Sequence, residues 1–472
     1  PHWRNFATFR HIPGDPTSLA SSRVRAVGIE ETRAIWVAGG DDSLDRIERA
    51  SGEITHWGER LGLGNSRLVA VLPDGDEHVW LGTQTALRRY SLTGGAALEL
   101  PVDLVREDAL PPGIFDQLRP AHDGGLWVAS RGGGVARVGG EPPRVLARYL
   151  PASGTLANSD ISDLAIDPAG RPWVATAAGV ERFDPGANRF AAVPGLPEDA
   201  VHALAFAADG RLWLHRLGAL ERWWVEGPLV RLEQRIDAAQ GWPAMRALAL
   251  AVAANDTVWV TSLRGLWRVD GMLREVRRFD ARDGLPSQEF MPGALQMTPD
   301  GTLVAGSVSG VVAFDPLVLR LDLPPPPLHV TAVHVRRDGE TVALNARAPI
   351  RLGHADREFE VEARALSYAN PAANRYRFRL DGVDADWIEN ARGVRQWSRL
   401  PAGDFRLEIR ATNAGRDWSE LATPLSITVA RPPWASVWAF ALYALALLLV
   451  VTQAVRTWRA RTQRRQAQAL VE

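Results

Sequence analysis

Short runs in which apolar and polar residues alternate fill the first two thirds of the chain. Two examples are residues 162–168 and 202–210, and each is closed by residues that favour turns. A period of two residues predicts β-strands, and no amphipathic helix period competes with it in this region. The Asp-Gly pairs Asp123-Gly124 and Asp209-Gly210 tolerate the positive φ of tight turns. The pattern therefore predicts a series of antiparallel hairpins.

A strand that contains a tryptophan recurs at a nearly constant interval in this region. The spacings between successive copies are 44, 47, 46, 40, 46 and 44 residues. A period of about 45 residues with four short strands is typical of a β-propeller blade, so the seven copies predict a propeller of seven blades. We interpret the tryptophans as apolar contacts between stacked blades rather than as a ligand-binding ladder. The positions are Trp36, Trp80, Trp127, Trp173, Trp213 and Trp259, with Leu303 in the seventh copy.

The two ends of the repeat region predict how the ring closes. The seventh copy has only three clear strands before Phe314-Asp315-Pro316, and residues 3–10 precede the first copy like an unpaired outer strand. We expect residues 3–10 to complete the seventh blade, because this pairing removes both open sheet edges.

The repeat, written DG-x-LW followed by small residues and then G-x-x-R, resembles the two-component regulator propeller repeat of bacterial sensor proteins. Residues 283–290 (DGLPSQEF) resemble the segment that introduces the last blade in that family. Members often carry two such propellers in tandem. Because the sequence begins at Pro1 without a methionine or a signal peptide, we expect a fragment of a longer precursor.

A second region follows a run of four prolines at 324–327, which forms a stiff extended spacer. Period-two strands continue over residues 328–431 without the tryptophan repeat, which predicts an immunoglobulin-like β-sandwich. Residues 365–389 and 399–420 resemble the three-Y (Y_Y_Y) domain that follows regulator propellers. Phe378 departs from that family's tyrosine pattern, and this change removes only a phenolic hydroxyl.

Residues 432–455 contain no charged side chain and are long enough to cross a bilayer. Trp434 and Trp438 stand at the first edge, as interfacial aromatic residues do. Beyond the other edge lie Arg456, Arg459, Arg461, Arg464 and Arg465. The positive-inside rule therefore predicts a cytoplasmic C-terminus and places both β-domains outside. The alternative is a buried helix of a soluble protein.

Composition excludes several kinds of chemistry. The formal net charge of −1 gives no electrostatic reason to expect nucleic acid as a partner. The chain has no cysteine, which excludes disulfides and thiolate nucleophiles, and no lysine, which excludes Schiff bases. Its ten histidines are scattered without metal-ligand spacing, and no Gly-x-Ser-x-Gly elbow occurs. We therefore expect no catalytic residues, no metal site and no cofactor in this chain.

A ligand, if the propeller binds one, is expected at the turn that follows the tryptophan strand. In some copies that turn carries a polar residue, and these residues are Gln84, Arg131, His215 and Arg264. The alternative is that they are ordinary exposed turn residues. The fifth copy diverges most, with Leu-His-Arg where other copies have small residues.

Together these patterns predict an all-β chain with one helix at its end. The expected domains are a seven-bladed propeller (1–318), a proline-rich linker (319–327), a three-Y sandwich (328–431), a transmembrane helix (432–455) and a juxtamembrane helix (456–472).

The family resemblance implies the periplasmic sensor region of a single-pass receptor in the inner membrane, acting as a homodimer. An extracellular small molecule or oligosaccharide would be sensed and the signal relayed to a cytoplasmic diguanylate cyclase or histidine kinase beyond Glu472. The alternative is a membrane-anchored propeller enzyme (a lyase or glycosidase) or a binding protein for surface polysaccharide.

Overall fold

The computed structural model describes residues 6–40, 42–64, 66–227, 229–272, 275–319, 327–346, 348–366, 374–413 and 418–469. The chain divides into two compact units, Pro1–Leu319 and Arg320–Glu472. Each unit is treated separately below.

The described residues of the first unit form seven antiparallel sheets of four strands each. The strands, in chain order, are β1 (Ala7–Phe9), β2 (Val24–Glu30), β3 (Ala34–Gly39), β4 (Leu44–Glu48), β5 (Ile54–His56), β6 (Leu68–Asp74), β7 (His78–Thr83), β8 (Leu87–Ser91), β9 (Leu98–Glu99), β10 (Ile114–Pro120), β11 (Leu126–Arg131), β12 (Gly134–Gly139), β13 (Arg144–Tyr149), β14 (Ile161–Ile166), β15 (Pro172–Thr176), β16 (Gly179–Asp184), β17 (Arg189–Ala192), β18 (Val201–Phe206), β19 (Leu212–Arg216), β20 (Ala219–Glu226), β21 (Leu229–Ile236), β22 (Ala249–Val252), β23 (Thr257–Ser262), β24 (Gly265–Asp270), β25 (Glu275–Phe279), β26 (Phe290–Met297), β27 (Leu303–Ser307) and β28 (Gly310–Phe314).

The first strand of each sheet packs against the first strands of its two neighbours, so these strands surround a central axis and the sheets are propeller blades. Blades 1 to 6 are β2–β5, β6–β9, β10–β13, β14–β17, β18–β21 and β22–β25, and blade 7 is β26–β28 with β1. Within each blade we call the strands A to D from the axis outward. The predicted seven-bladed propeller is confirmed.

The ring closes through the N-terminal strand. In blade 7, β1 takes the outer D position and pairs antiparallel with β28, with Ala7 opposite Ala313 and Phe9 opposite Val311. The predicted closure is therefore confirmed for Ala7–Phe9, and residues 3–5 of the predicted strand lie outside the described residues. Phe6 secures this strand by edge-on contacts with Phe279 and Phe314.

The recurrent tryptophans lie on strand B and are at most 5% exposed. Each stands directly opposite an arginine of strand C, as Trp173 does with Arg182. That guanidinium lies 5.2 Å from the indole centroid, where it gains a cation–π attraction. The indole N–H of Trp173 donates to Asp167, at the end of the same blade's strand A, at 3.0 Å. A recurring side-chain contact thus fills the space between blades.

The second unit contains a β-sandwich in its described residues. Its strands are β29 (Leu328–Arg337), β30 (Glu340–Ala343), β31 (Ile350–Leu352), β32 (Arg357–Ala365), β33 (Asn374–Leu380), β34 (Ile388–Asn390), β35 (Val394–Trp397), β36 (Gly403–Asn413), β37 (Ser419–Glu420) and β38 (Leu425–Val429). One sheet has the order β30-β29-β32-β35 and the other β31-β38-β36-β33-β34, with β37 added on β36. Alternate residues of both sheets, including Phe359, Phe378 and Trp397, form a single core.

A single long helix, α1 (Val437–Ala469), follows the sandwich. It begins after Pro432 and a 3-10 turn at Pro433–Ala435, because two successive prolines lack the N–H groups that a continuous helix needs. Its segment Val437–Arg459 is long and apolar enough to cross a membrane, and among the described helices it alone meets that test.

Candidate ligand-binding face

The two faces of the propeller carry different connections. In an antiparallel blade the A–B and C–D turns lie on one face, called here the lower face, and the B–C turns and D–A loops lie on the other, the upper face. The lower A–B turns are short and repetitive, with Asp-Gly at 209–210 and 300–301. The upper D–A loops vary in length and content, as at 57–67, 100–113 and 237–248. Variable loops on a rigid scaffold are the usual place for binding residues.

The upper mouth of the central channel is bordered by irregular backbone. The described A strands break their register near their first residues in blades 1, 2, 3, 4, 5 and 7. A β-bulge of this kind leaves an extra residue unpaired and redirects its side chain, and such bulges are frequent beside functional sites. The bulged positions at this mouth include Arg25, Val69, Asp116, Ser162 and His202.

The sequence places Arg131 in an exposed turn, but it is the last residue of β11 and is half-buried. Its guanidinium lies 2.5 Å from the carboxylate of Asp116 at the channel mouth. Burial raises the pKa of Asp116 to about 6, although the charge of Arg131 opposes that rise. The neighbouring Gln117 is buried, and its Oε1 has no hydrogen-bond partner among the described residues.

His215 corrects a second prediction. It lies inside β19, two residues after Trp213, and not in the turn that follows. Its side chain is 0% exposed, and burial lowers its pKa to about 3, so the ring is neutral. The placement of His215 on a ligand-accessible turn is therefore wrong. The equivalent positions of other blades hold the small residues Gly82, Ala129, Ala175 and Thr261, which leave no comparable bulk between blades.

Gln84 and Arg264 are exposed in the upper turns of blades 2 and 6, as the repeat predicted. Blades 7 and 1 separate them on the shorter way round the ring. The four candidate residues thus occupy blades 2, 3, 5 and 6 and do not converge on one pocket.

A cavity of about 730 Å³ opens on the upper side of blade 1, and nothing in the repeat pattern indicated it. Its polar lining consists of Asp42, Ser43, Asp45, His56, Glu59 and Arg60. At the back of the cavity, Asp45 accepts hydrogen bonds from the backbone N–H of Ala20 at 2.9 Å and from His56 Nδ1 at 2.6 Å.

The other ring nitrogen of His56 faces the carbonyl oxygen of Pro16 at 2.8 Å. Both nitrogens of this ring thus meet acceptors, which favours the doubly protonated imidazolium. The hydrogen bond to Asp45 raises the pKa of His56, and burial raises the pKa of Asp45. The pair holds the segment that crosses from blade 7 to blade 1.

Within the described residues there is no group of three or more His, Asp or Glu side chains that could hold a metal ion. The strongly shifted carboxyl at the channel mouth, Asp116, is engaged by an arginine rather than left free as an acid or base.

Residues 367–430 match the Y_Y_Y domain family. A curated relative, histidine kinase P4 from Formosa agariphila, is 26% identical over 203 residues, which is 41% of this chain and 15% of that protein. The extracellular domain of the hybrid two-component system BT3049 from B. thetaiotaomicron superposes with a TM-score of 0.72 at 19% identity, covering 90% of this chain and 57% of that one. This chain resembles two-component sensor propellers.

The resemblance predicted from the repeat and from the three-Y segment is thereby confirmed, as is the predicted fold class. Streptogramin B lyase also superposes on this chain, with a TM-score of 0.50 and 15% identity over 66% of this chain and 98% of the lyase. At such identities the structural likeness shows the fold alone. The chain spans only a small part of the kinase and about half of the sensor domain that it matches.

Proposed function

We propose that this chain is the extracytoplasmic sensor region of a single-pass signalling receptor in the inner membrane, in which a ligand held by the propeller alters the sandwich and the helix. The order of propeller, Y_Y_Y sandwich and apolar helix in one chain carries this proposal. Each part on its own has other uses, but a binding scaffold joined to a possible membrane span by a small β-domain suits a receptor.

The connection between the sandwich and the helix supports a mechanical role. The last sandwich strand ends at Val429 and α1 begins at Val437. The backbone N–H of Ala430 donates to the carbonyl of Leu352 at 2.9 Å, which extends the sheet by one bond. Trp434 then packs edge-on against His354, with ring centroids 5.4 Å apart. A short connection held at two points would transmit a movement of the sandwich to the helix.

The helix fits a bilayer with its C-terminal end in the cytoplasm. Residues 437–455 are uncharged and rise over roughly 28 Å, close to the hydrocarbon thickness of a membrane. Trp434 stands before this stretch, Trp438 is its second residue, and the arginines begin at Arg456 directly after it. We infer that the β-domains are periplasmic and that the helix continues into the cytoplasm, where a homodimer would bring two such helices together.

A histidine kinase is the output that the comparisons favour. The curated relative carries that name, and the similar extracellular domain comes from a hybrid two-component system. Nothing comparable supports the diguanylate cyclase. The ligand is proposed to be an extracellular small molecule or oligosaccharide bound on the upper face of the propeller.

Topology reporters test the membrane part of this proposal. Green fluorescent protein fused after Glu472 should fluoresce, and alkaline phosphatase at the same point should be inactive, because only the former works in the cytoplasm. Phosphatase fused at Ala430, before α1, should be active when the chain is exported. The reverse pattern at Glu472 would contradict the orientation. Reading the gene beyond Glu472 tests the output, since a stop codon there would overturn the receptor.

The alternative of a membrane-anchored enzyme or polysaccharide-binding protein remains a distinct proposal. It requires turnover of a polysaccharide, or binding without any change in an output activity. The purified chain should show neither lyase nor glycosidase activity towards surface polysaccharides if the sensor proposal holds, and measurable turnover would favour the enzyme.

A further inference from the structure

The ring of His215 is enclosed in the propeller without a polar partner. Its side chain is 0% exposed, and both of its ring nitrogens, Nδ1 and Nε2, are buried without a hydrogen-bond partner among the described residues. Every other described side chain with such an atom has only one of them. Buried polar atoms are rarely left without a partner in folded proteins, and a bound water or ion commonly supplies it.

The propeller repeat does not require an imidazole at this position. The equivalent residues on strand B of blades 2, 3, 4 and 6 are Gly82, Ala129, Ala175 and Thr261. Those blades form the same four-stranded sheets with small side chains. The buried histidine is therefore a feature of blade 5 alone among these blades, and it needs an explanation other than the fold.

A second histidine lies beside it. The ring centroids of His202 and His215 are 5.9 Å apart. Because a metal lies about 2.0 Å from an imidazole nitrogen, two imidazoles that share one ion have centroids roughly 5 to 6.5 Å apart. His202 occupies the bulge of strand A directly before Ala203, and Ala203 stands opposite His215 on strand B. The two rings thus come from neighbouring strands of one blade, which fixes their separation.

The surroundings of the two histidines favour a soft ion. Among the described residues, no aspartate, glutamate or further histidine joins the pair to make a group of three. The ring of Trp242 lies 5.7 Å from that of His215, and Trp242 shares a buried cluster with Met245. Ca²⁺ and Mg²⁺ need several oxygen ligands and structural Zn²⁺ needs four ligands, whereas Cu(I) suits imidazole and polarisable surroundings.

The charge near the pair favours a monovalent ion over a divalent one. Burial lowers the pKa of His202, and the positive charge of Arg246 lowers it further. A positive neighbour repels a divalent cation twice as strongly as a monovalent cation at the same distance. Neutral imidazole is the form that binds a metal, and the enclosure of His215 keeps its ring neutral.

We propose that His202 and His215 form a binding site for a soft monovalent cation, Cu(I) or Ag(I), in blade 5. One nitrogen of each ring binds the ion, and the packing of Trp242 against His215 holds that ring in position. His202 is only half-buried, so the ion can reach the pair from the channel mouth. This inference goes beyond the proposed sensor role, because binding of the ion requires neither a membrane nor an output domain.

Titration of the whole chain in detergent with metal ions alone tests this inference. The probes are Ag(I) in chloride-free buffer, Cu(I) without oxygen in competition with bicinchoninate, and Zn(II). At least one monovalent ion should bind at one equivalent with a Kd below about 1 μM, and Zn(II) should bind at least about tenfold more weakly. Failure of both Ag(I) and Cu(I) to bind would overturn the site. Zn(II) bound as tightly as the monovalent ions would contradict the preference for a soft ion.

Matched histidine variants locate the ion. His202→Asn and His215→Ala should each weaken Ag(I) binding by about a hundredfold or more, because each removes one of two ligands. His329→Asn, at an exposed histidine of the sandwich, is the control and should leave binding unchanged. Equal weakening by the control would show binding by exposed histidines in general and contradict the site. His202 is half-buried, so His202→Asn should fold as the parent does even if His215→Ala does not.

Nitrogen-15 NMR of labelled histidine provides a readout inside the site. The ring signals of His202 and His215, assigned with the two variants, should both shift at one equivalent of Ag(I), and the signal of His329 should not. A shift of only one of the two signals would show that the rings do not share the ion and would overturn the inference. Failure of the topology experiment would leave these results intact and remove only the receptor.

Discussion

The lower half of the propeller repeats one contact in several blades, whereas the upper half differs from blade to blade. Below, the tryptophan N–H donates to the acid at the end of strand A in blades 1, 2 and 4, at Glu30, Asp74 and Asp167. Arginines there also join neighbouring blades, as Arg49 does with Asp300 at 2.7 Å and Arg222 with Asp256 at 2.6 Å. These contacts hold the ring together.

The upper half uses equivalent positions for different partners. The residue that precedes the strand C arginine is Asp45 in blade 1, Glu181 in blade 4 and Glu221 in blade 5, and all three are buried. Asp45 accepts a hydrogen bond from His56, and Glu221 accepts one from Arg216. Glu181 instead accepts from the backbone N–H groups of Ala157 and Asn158. The difference indicates that repeated contacts in the lower half stabilise the ring. In the upper half the side chains and their partners change from blade to blade, so this face is free to vary for recognition.

Removal of β1 should lower the unfolding free energy more than any other change considered, because this strand completes blade 7 over both its lower and its upper half. Deletion of residues 1–12 removes the pairing with β28 and the buried ring of Phe6, and we expect a loss of more than about 5 kcal/mol of unfolding free energy. Thermal unfolding of the purified chain in detergent measures it. Deletion of residues 1–5 alone is the control, and an unchanged melting curve after the longer deletion would refute the closure.

Substitution of a repeated tryptophan tests the lower half directly. Trp173→Ala should cost about 3–5 kcal/mol, since Trp173 is fully buried, bonded to Asp167 and covered by Arg182. Trp224→Ala is the matched control, because Trp224 is only half-buried and should cost about 1 kcal/mol. Denaturant unfolding compares them. If Trp224→Ala costs as much, the repeated contact is not what stabilises the ring.

The carboxyl at the channel mouth predicts a pH-dependent difference. The pKa of Asp116 is raised to about 6 by burial, so its ionisation opposes folding and wild type should lose stability relative to Asp116→Asn as the pH rises through about 6. The shift of roughly two pKa units corresponds to about 3 kcal/mol in all, most of it lost between pH 4 and 6, so the change between pH 5 and 7 should be about 1 kcal/mol. Unfolding free energies of both proteins across that range measure it, and a constant difference would contradict it.

Substitution of His56 should have the smallest effect on the unfolding free energy. Because its hydrogen bond to Asp45 raises the pKa of His56, the stabilisation is present below the ordinary histidine pKa and is lost as the pH rises through the raised value. His56→Asn should therefore destabilise the chain at pH 5.5 by less than about 1 kcal/mol, and by less again at pH 8, since the ring is partly exposed. Melting curves at both pH values test it.

The sequence alone determined the repeat, the number of blades, the closing strand, the sandwich and the apolar helix. These features depend on the period of hydrophobic residues along the chain, because strands and blades repeat at fixed intervals. It also indicated that the upper turns differ between blades, and Gln84 and Arg264 are exposed there.

Only the tertiary structure decided which side chains meet. His215 looked like a turn residue, because the pattern does not show whether a strand ends before or after it, and it is enclosed beside Trp242. Arg246 follows His202 by 44 residues, and its charge lowers the pKa of His202 because blades 5 and 6 are neighbours in the ring. Contacts between blades and across the channel have no fixed spacing in the sequence, since they depend on how the D–A loops return the chain to the axis.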